Sequence, residues 1–325
     1  MVPKLHHLSK ALGQRFVTTI NQSPMTSETH PHILGFDIGG TKTAWGLVTA
    51  DGRLKAHGVF PSPQHRDAMI SAIITLVKEK KPQAVGIGVA GTVSPDHRDT
   101  VVCPHLPELS HFEIVQAIRS EFPEIPVALD NDARCALIGE VWQGKAKDLT
   151  SVVMITIGTG IGGAVMQKGQ VLPHPHDLNE EISHLIADPS DLLPASSGRG
   201  SVESLLGGQN LEDRFGIPVA ELIAQARKED KDAVETLKTI SYYFIQAIRA
   251  IYDVYHCKLI LVGGKGLNDL DLYLRDVPPC PVESADLGEL AGVIGAARLG
   301  LDLYEQEEEE AAEWGDDEDP EKVEE

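Results

Sequence analysis

Two adjacent polar residues, Asn131 and Asp132, stand in the stretch PVALDNDARCALIGEVWQG (126–144), where a strand-type run gives way to a helix-type run. A carboxylate at such a strand end can take a proton from an attacking hydroxyl, the general-base role. Asp and Asn are also the preferred helix N-caps, and taken alone a cap is the simpler reading. Two glycine-rich segments change that balance. Residues 33–54 read ILGFDIGGTKTAWGLVTADGRL and residues 152–172 read VVMITIGTGIGGAVMQKGQVL. Each is a β-type run, a glycine-rich turn, a second β-type run and another turn. Glycine lets backbone N–H groups come close to a ligand. Two such hairpins point to two similar halves facing one anionic ligand, and beside them the base reading of Asp132 is the better account.

Other polar residues stand where ligands gather, near the ends of strands. Asp37 closes the first strand and either orients Mg²⁺ or its waters, or stabilises the turn. EISH supplies Glu181 and His184, and SGRGSVES supplies Glu203 at the start of a helix. Such side chains can recognise sugar hydroxyls; a surface histidine and a helix-start acid are the plainer readings. His174 and His176 flank a proline, which fits a loop better than a metal pair. A dinucleotide fold is disfavoured, because its glycines must open a helix. Here Gly158, Gly160, Gly162 and Gly163 lead into AVMQKGQVL, which breaks at Lys168-Gly169, and the first hairpin breaks at Asp51-Gly52.

The elements that must position these groups alternate as in an α/β protein. A third strand is expected around 56–60 and a helix over 67–81, with Met69, Ile73, Leu76 and Val77 at helical spacing. AVGIGVAG (84–91) reads as a buried strand ending at Gly91, and FEIVQAIRSEF (112–122) as a helix. Residues 173–210 form a loop region too long to be passive. Residues 219–257 are helical, LILVGG (259–264) is a buried strand, and GVIGAARLGLDLY (292–304) a closing helix. We expect an N-terminal lobe over 33–139, with 289–304 packing back on it, and a C-terminal lobe over 140–288.

The 325-residue chain is 42% hydrophobic and has no apolar stretch long enough to span a membrane. Its four cysteines are scattered without a CxxC pair, which argues against a disulfide framework and against a cysteine zinc site. A reducing, cytoplasmic setting fits. The net charge of −21 is concentrated in residues 305–325, where 13 acids accompany one lysine. That block is expected to be a disordered tail. An acidic balance argues against a nucleic-acid surface. Residues 1–27 contain Lys4, Lys10 and Arg15 and no acid, as transit peptides do. A disordered leader over 1–32, or a true start at Met25, is the simpler reading.

The ordered set DIGGTK (37–42), LDNDA (129–133), IGTGIGG (157–163), ExxH (181–184), GRGSVE (198–203) and LVGG (261–264) resembles the ROK (repressor, open reading frame, kinase) sugar-kinase family. The resemblance covers nearly all of 33–304. It implies an α/β, actin/hexokinase-like fold: duplicated ribonuclease-H-like lobes with a cleft between them, closing on ATP and a sugar. By position, Asp37, Gly39, Gly40, Thr41 and Lys42 would form the first phosphate loop. Gly158, Thr159 and Gly160 would form the second, and Gly263 and Gly264 the adenosine-side turn. Asp132 matches the catalytic base, and Asn131, Glu181, His184 and Glu203 the sugar contacts, with Gly91 and His105 on the substrate side. Mg²⁺ would be held through water at Asp37. The implied reaction is transfer of the γ-phosphate of ATP to a hexose hydroxyl, glucokinase-type, in a possible homodimer.

The chain departs from the family at three places. The stretch LLPASSGRGSVE (192–203) lacks the CxCGxxGC motif, so no structural zinc is expected. Ser183 replaces the usual glycine before His184. His105, in Cys103-Pro104-His105-Leu106, stands where relatives often carry a sugar-contacting Asn. The alternatives are an N-acetylhexosamine kinase or fructokinase, a polyphosphate-using glucokinase, and a non-catalytic sugar-binding regulator. Family regulators usually carry an N-terminal helix-turn-helix domain, for which 1–32 leave no room.

Overall fold

The structure is a computed structural model that describes residues 17–19, 31–173, 182–191, 198–264 and 270–315, with side chains from 31 to 312. The chain divides into two compact units. One comprises Met1–Gly139 with Gly292–Glu325, the other Glu140–Ala291.

The first unit opens with β1 (Val17–Thr19), β2 (His32–Ile38), β3 (Lys42–Thr49) and β4 (Leu54–Pro61), then α1 (Arg66–Lys80) and β5 (Ala84–Val89). A two-stranded hairpin, β6 (Thr92–Val93) and β7 (Thr100–Val102), precedes α2 (Ile114–Arg119), β8 (Val127–Asn131) and α3 (Asp132–Gln143). The sheet order is β1-β4-β3-β2-β5-β8. Strands β2 to β4 run antiparallel, whereas β5 and β8 are parallel to β2 and to each other. Side chains alternate faces along a strand. Leu34, Phe36 and Ile38 of β2 and Val85, Ile87 and Val89 of β5 therefore join Met69, Ile73, Leu76 and Val77 of α1 in one core. Burying each such side chain contributes about 1.5–3 kcal/mol. Helix α1 ends at Lys81, which takes a left-handed φ of 48° and donates to Val77 O, with Pro82 following.

The second unit contains β9 (Ser151–Ile157), β10 (Ile161–Gln167), β11 (Gln170–Val171), α4 (Val202–Leu206), α5 (Gly208–Phe215), α6 (Val219–Ala226), α7 (Lys231–Tyr255), β12 (Leu259–Gly264), α8 (Leu270–Tyr273) and β13 (Val282–Ser284). Its order is β11-β10-β9-β12-β13. Three antiparallel strands are again followed by two parallel ones. The same pattern in both units is that of ribonuclease-H-like sheets duplicated as in the actin/hexokinase-like fold. Asp230 caps α7 by accepting from Ala233 N at 3.0 Å. Along α7, Leu237, Phe244, Ile248 and Ile251 bury against Val153, Ile155, Ile260 and Val262.

The last helix, α9 (Ala291–Gly315), belongs with the first unit from Gly292 on. It meets the strand face opposite α1 through bare backbone. A Cβ on Gly35 would overlap Val293 O, one on Gly86 would overlap Ala296 O, and one on Gly295 would overlap Cys135 O.

Two expectations about the ends of the chain need correction. Val17–Thr19 of the expected disordered leader pairs antiparallel with β4. A β-branched VTT run suits the open edge that β4 offers. The expected disordered tail is helical as far as Gly315. Glu, Gln and Ala are good helix formers, and Arg119 Nη1 holds Glu307 Oε1 at 3.2 Å.

Candidate active site

In the first unit, the glycine turn joins β2 to β3. Gly39 N–H donates to Lys42 O at 3.1 Å, and Ser62 N–H donates to Thr41 O at 3.0 Å. Ser62 Oγ donates to Gly39 O, and Gln64 Nε2 to Gly40 O at 3.1 Å. The turn is thus held from the segment that follows β4. Ser62 and Gln64 went unnoticed in the sequence, although Pro61-Ser62-Pro63 marks a stiff strand exit. Gly40 lies against His105, where a Cβ on Gly40 would overlap that of His105. Asp37 is half-buried beside the start of α9, and a Cβ on Gly292 would lie 2.7 Å from its Oδ2. A helix N-terminus favours a negative charge there.

The β8–α3 junction separates the two roles that the sequence left open. Asn131 Oδ1 accepts from Ala133 N at 3.0 Å and from Arg134 N at 3.1 Å, so Asn131 is the N-cap. Its Nδ2 donates to Gly91 O at 3.0 Å and to Asp132 Oδ1 at 3.1 Å. The Asn131 amide therefore spends its full capacity inside the protein, and a sugar contact from it would have to displace one of these bonds. Asp132 Oδ1 also accepts from Ala133 N at 2.8 Å. The bonds from Asn131 and Ala133 both fall on Oδ1. Burial pushes the Asp132 carboxyl up to about 6, against the hydrogen bonds from the Ala133 N–H, from its own N–H and from Asn131 that lower it. Cys103 is buried nearby, and its thiol is raised to about 11, chiefly by burial and also by the Asp132 charge. A Cβ on Gly91 would sit 3.0 Å from Cys103 Sγ. Gly91, Cys103, Asn131 and Asp132 thus form one cluster.

In the second unit, the glycine turn joins β9 to β10. Gly158 N–H donates to Gly160 O at 2.9 Å. The carbonyls of Gly158 and Thr159 accept from Gly208 N at 2.9 Å and Gln209 N at 3.0 Å, so the hairpin tip satisfies the first donors of α5. Glu203 in α4 faces Gly160. His184 ends a 3₁₀ turn, Ile182–His184, whose Ile182 packs on Gly163. Val202 N–H donates to Leu185 O at 2.9 Å, which brings the His184 segment beside the Glu203 helix. Ser183 Oγ and His184 Nδ1 lie 3.1 Å apart. Gly263 and Gly264 end β12 beside Thr156 and Ile157, adjoining the turn. An apolar cavity of about 230 Å³ borders Gly158 and Thr159 and is floored by Leu206, Phe244 and Tyr273. Glu181, His174 and His176 lie outside the described residues.

A profile described as the ROK family matches residues 33–302. The chain belongs to the ROK family. This ROK chain is 29% identical over 285 residues to the N-acetylmannosamine kinase of Shigella flexneri, covering 82% of the chain and 97% of that protein. It superposes with a TM-score of 0.70 and 24% identity on a ROK family glucokinase from Streptomyces griseus in complex with glucose and AMPPNP, covering 83% of the chain and 99% of that structure. The ROK hexokinase of Thermus thermophilus gives a TM-score of 0.73 at 24% identity, over 85% of the chain and 99% of that structure. These two likenesses establish the shared fold. No described helix of this ROK chain is long and apolar enough to cross a membrane.

Proposed function

We propose that the protein is an ATP-dependent sugar kinase that moves the γ-phosphate of ATP to a hexose hydroxyl, with Asp132 as general base. The observation that carries this reading is the Asp132 carboxyl. Its neighbour Asn131 has taken over the cap, the bonds from Asn131 and Ala133 fall on a single oxygen, Oδ1, and burial holds its pKa close to the operating pH. The attacking hydroxyl passes its proton to Asp132 as its oxygen bonds to phosphorus and the bond to ADP breaks. In each unit a glycine hairpin offers backbone amides suited to phosphate oxygens. The apolar cavity beside Gly158 suits a nucleoside base.

Mg²⁺ arrives with the nucleotide in this reading. Among the described residues no three His, Cys, Asp or Glu side chains converge on one point. Mg²⁺ keeps several of its waters and needs only one or two carboxylates, so Asp37 suits it through a water. When bound, the ion neutralises charge on the phosphates.

The acceptor is a hexose or an N-acetylhexosamine. The kinship to an N-acetylmannosamine kinase favours the latter, whereas His105 beside Gly40 marks a local change on the substrate side. The four buried cysteines are free thiols, which suits the cytoplasm. A panel of glucose, mannose, fructose, N-acetylglucosamine and N-acetylmannosamine against ATP, GTP and polyphosphate tests the reading. At least one sugar should turn over with Mg²⁺-ATP, and Asp132→Asn should lose about 10²–10⁴-fold. An unchanged rate in Asp132→Asn ends the base assignment. No turnover on any pair favours a sugar-binding regulator.

A further inference from the structure

Behind the Asp132 carboxyl, the β8–α3 junction holds a second pair of ionisable groups that the proposed chemistry does not use. Asp130 is 1% exposed and Arg134 is 9% exposed. Arg134 Nε donates to both Asp130 oxygens at 2.9 Å. Asp130 Oδ1 also accepts the backbone N–H of Asn131 at 2.7 Å. That residue in turn donates its side-chain amide to Asp132 Oδ1. The four groups form one chain of hydrogen bonds from guanidinium to carboxyl.

We propose that Asp130 and Arg134 are positioning residues for the general base. Arg134 fixes Asp130, Asp130 fixes the Asn131 backbone, and Asn131 fixes Asp132. The proposal rests on the reading of Asp132 given above.

A purely structural role accounts poorly for this pair. Buried ion pairs are weak stabilisers, often matched by apolar residues of equal volume. Arg134 Nη1 is buried with no hydrogen-bond partner among the described residues, which costs stability. The pair instead places a charge-assisted acceptor at the residue that touches Asp132. Asn131 is over-determined as a result. Its N–H, both amide hydrogens and its amide oxygen are all engaged, so its rotamer is held, and with it the donor to Asp132. Other titratable groups face this chain. His97 Nδ1 stands 3.8 Å from Asp130 Oδ1. The Cys103 and Cys135 thiols feel the Asp132 charge, and burial keeps both neutral. Asp37 also acts on Cys135.

The test separates hydrogen bonding from charge with two charge-balanced double variants. Asp130→Ala with Arg134→Gln removes the acceptor of the Asn131 N–H. Asp130→Asn with Arg134→Gln keeps a neutral acceptor of the same shape. Steady-state kinetics on the folded full chain should show kcat down about tenfold in the alanine pair, with KM for ATP within about twofold. The acid limb of its pH–rate profile should move upward, because Asp132 loses an ordered donor that lowers its pKa. The asparagine pair should recover kcat to within about threefold of the natural protein. An alanine pair with lower Tm but unchanged kcat and acid limb overturns the proposal, as does an asparagine pair that recovers nothing. If the alanine pair does not fold, Asp130→Leu with Arg134→Met, charge-balanced and apolar, takes its place. Its acid limb should also rise, and an unmoved limb rejects the idea. Asp132→Asn measured alongside keeps the two questions apart. Activity in Asp132→Asn removes the base reading itself. Loss there with natural behaviour in the alanine pair removes only the positioning role.

Discussion

Glu203 turns both carboxylate oxygens toward Gly160, each 3.5 Å from where a Cβ on that glycine would stand. That separation is an ordinary van der Waals contact, and Gly160 is not among the glycines with positive φ. Gly160→Ala should therefore fold well, with Tm within about 2 °C of the natural protein. Its methyl would nevertheless crowd the turn read as holding phosphate. KM for ATP should rise about tenfold, close to 1.4 kcal/mol. A kinetic comparison with unaltered KM would show that the turn does not approach the nucleotide.

Gly264 presents the opposite case. It has φ 81°, and a Cβ there would overlap Ile157 O and lie 3.0 Å from Ile157 N. Gly216 has φ 71° with nothing within 4 Å of such a Cβ. Gly216→Ala should cost only the left-handed backbone, about 1 kcal/mol. Gly264→Ala should cost more than twice that, because strain and overlap add. Urea melts of the two variants check the order, and equal losses would contradict it.

The pH dependence follows from Asp132. Its carboxyl shifts from 3.8 to about 6 on folding. A base must be deprotonated, so kcat/KM should climb through about pH 6 and level off above it. The sign for stability is the reverse. The fold favours the protonated form, so stability is lost as pH rises from 3.8 toward 6. Asp132→Asn, which stays neutral, should be more stable than the natural chain at pH 8 by on the order of 1–3 kcal/mol. The gain should shrink at pH 5. Melting curves at the two pH values test this, and a variant less stable at pH 8 would refute it.

The acidic end of α9 should be dispensable. Glu308–Ala312 is exposed, and the Arg119–Glu307 pair next to it is more than a third exposed on each side. Such pairs contribute at most about 1 kcal/mol. Deleting 308–325 should leave Tm within about 2 °C. A drop several times larger would mean that the segment packs on the body.

Both glycine hairpins and the strand LILVGG were legible because apolar β-type runs and punctuating glycines lie close together in the chain. The helix expected over 67–81 forms at 66–80 for the same local reason. Where distant contacts decide, the reading fell short. The helix expected over 112–122 shrinks to Ile114–Arg119. Residues 219–257 split at Asp230, which caps a second helix. Strand β13 is three residues long and exists by pairing with β12, which no local pattern announces. The helix start expected at Glu203 is α4, but it ends at Leu206 and a second helix, α5, begins at Gly208 in a region read as loop. At the site, Asn131 and Asp132 were visible as a pair, but which of them caps α3 depends on a single rotamer. Asp130 and Arg134 resemble any exposed acid and base until burial joins them.

The glycine-to-backbone seating of α9 on β2 and β5 sets an order of events during synthesis. Unit Glu140–Ala291 is contiguous and can complete its core as soon as it leaves the ribosome. The unit that begins first in the chain must wait, with the sheet around Gly35 and Gly86 uncovered, until residues 292–301 emerge. Its nascent form exposes sheet that the finished protein covers, the kind of surface that chaperones engage.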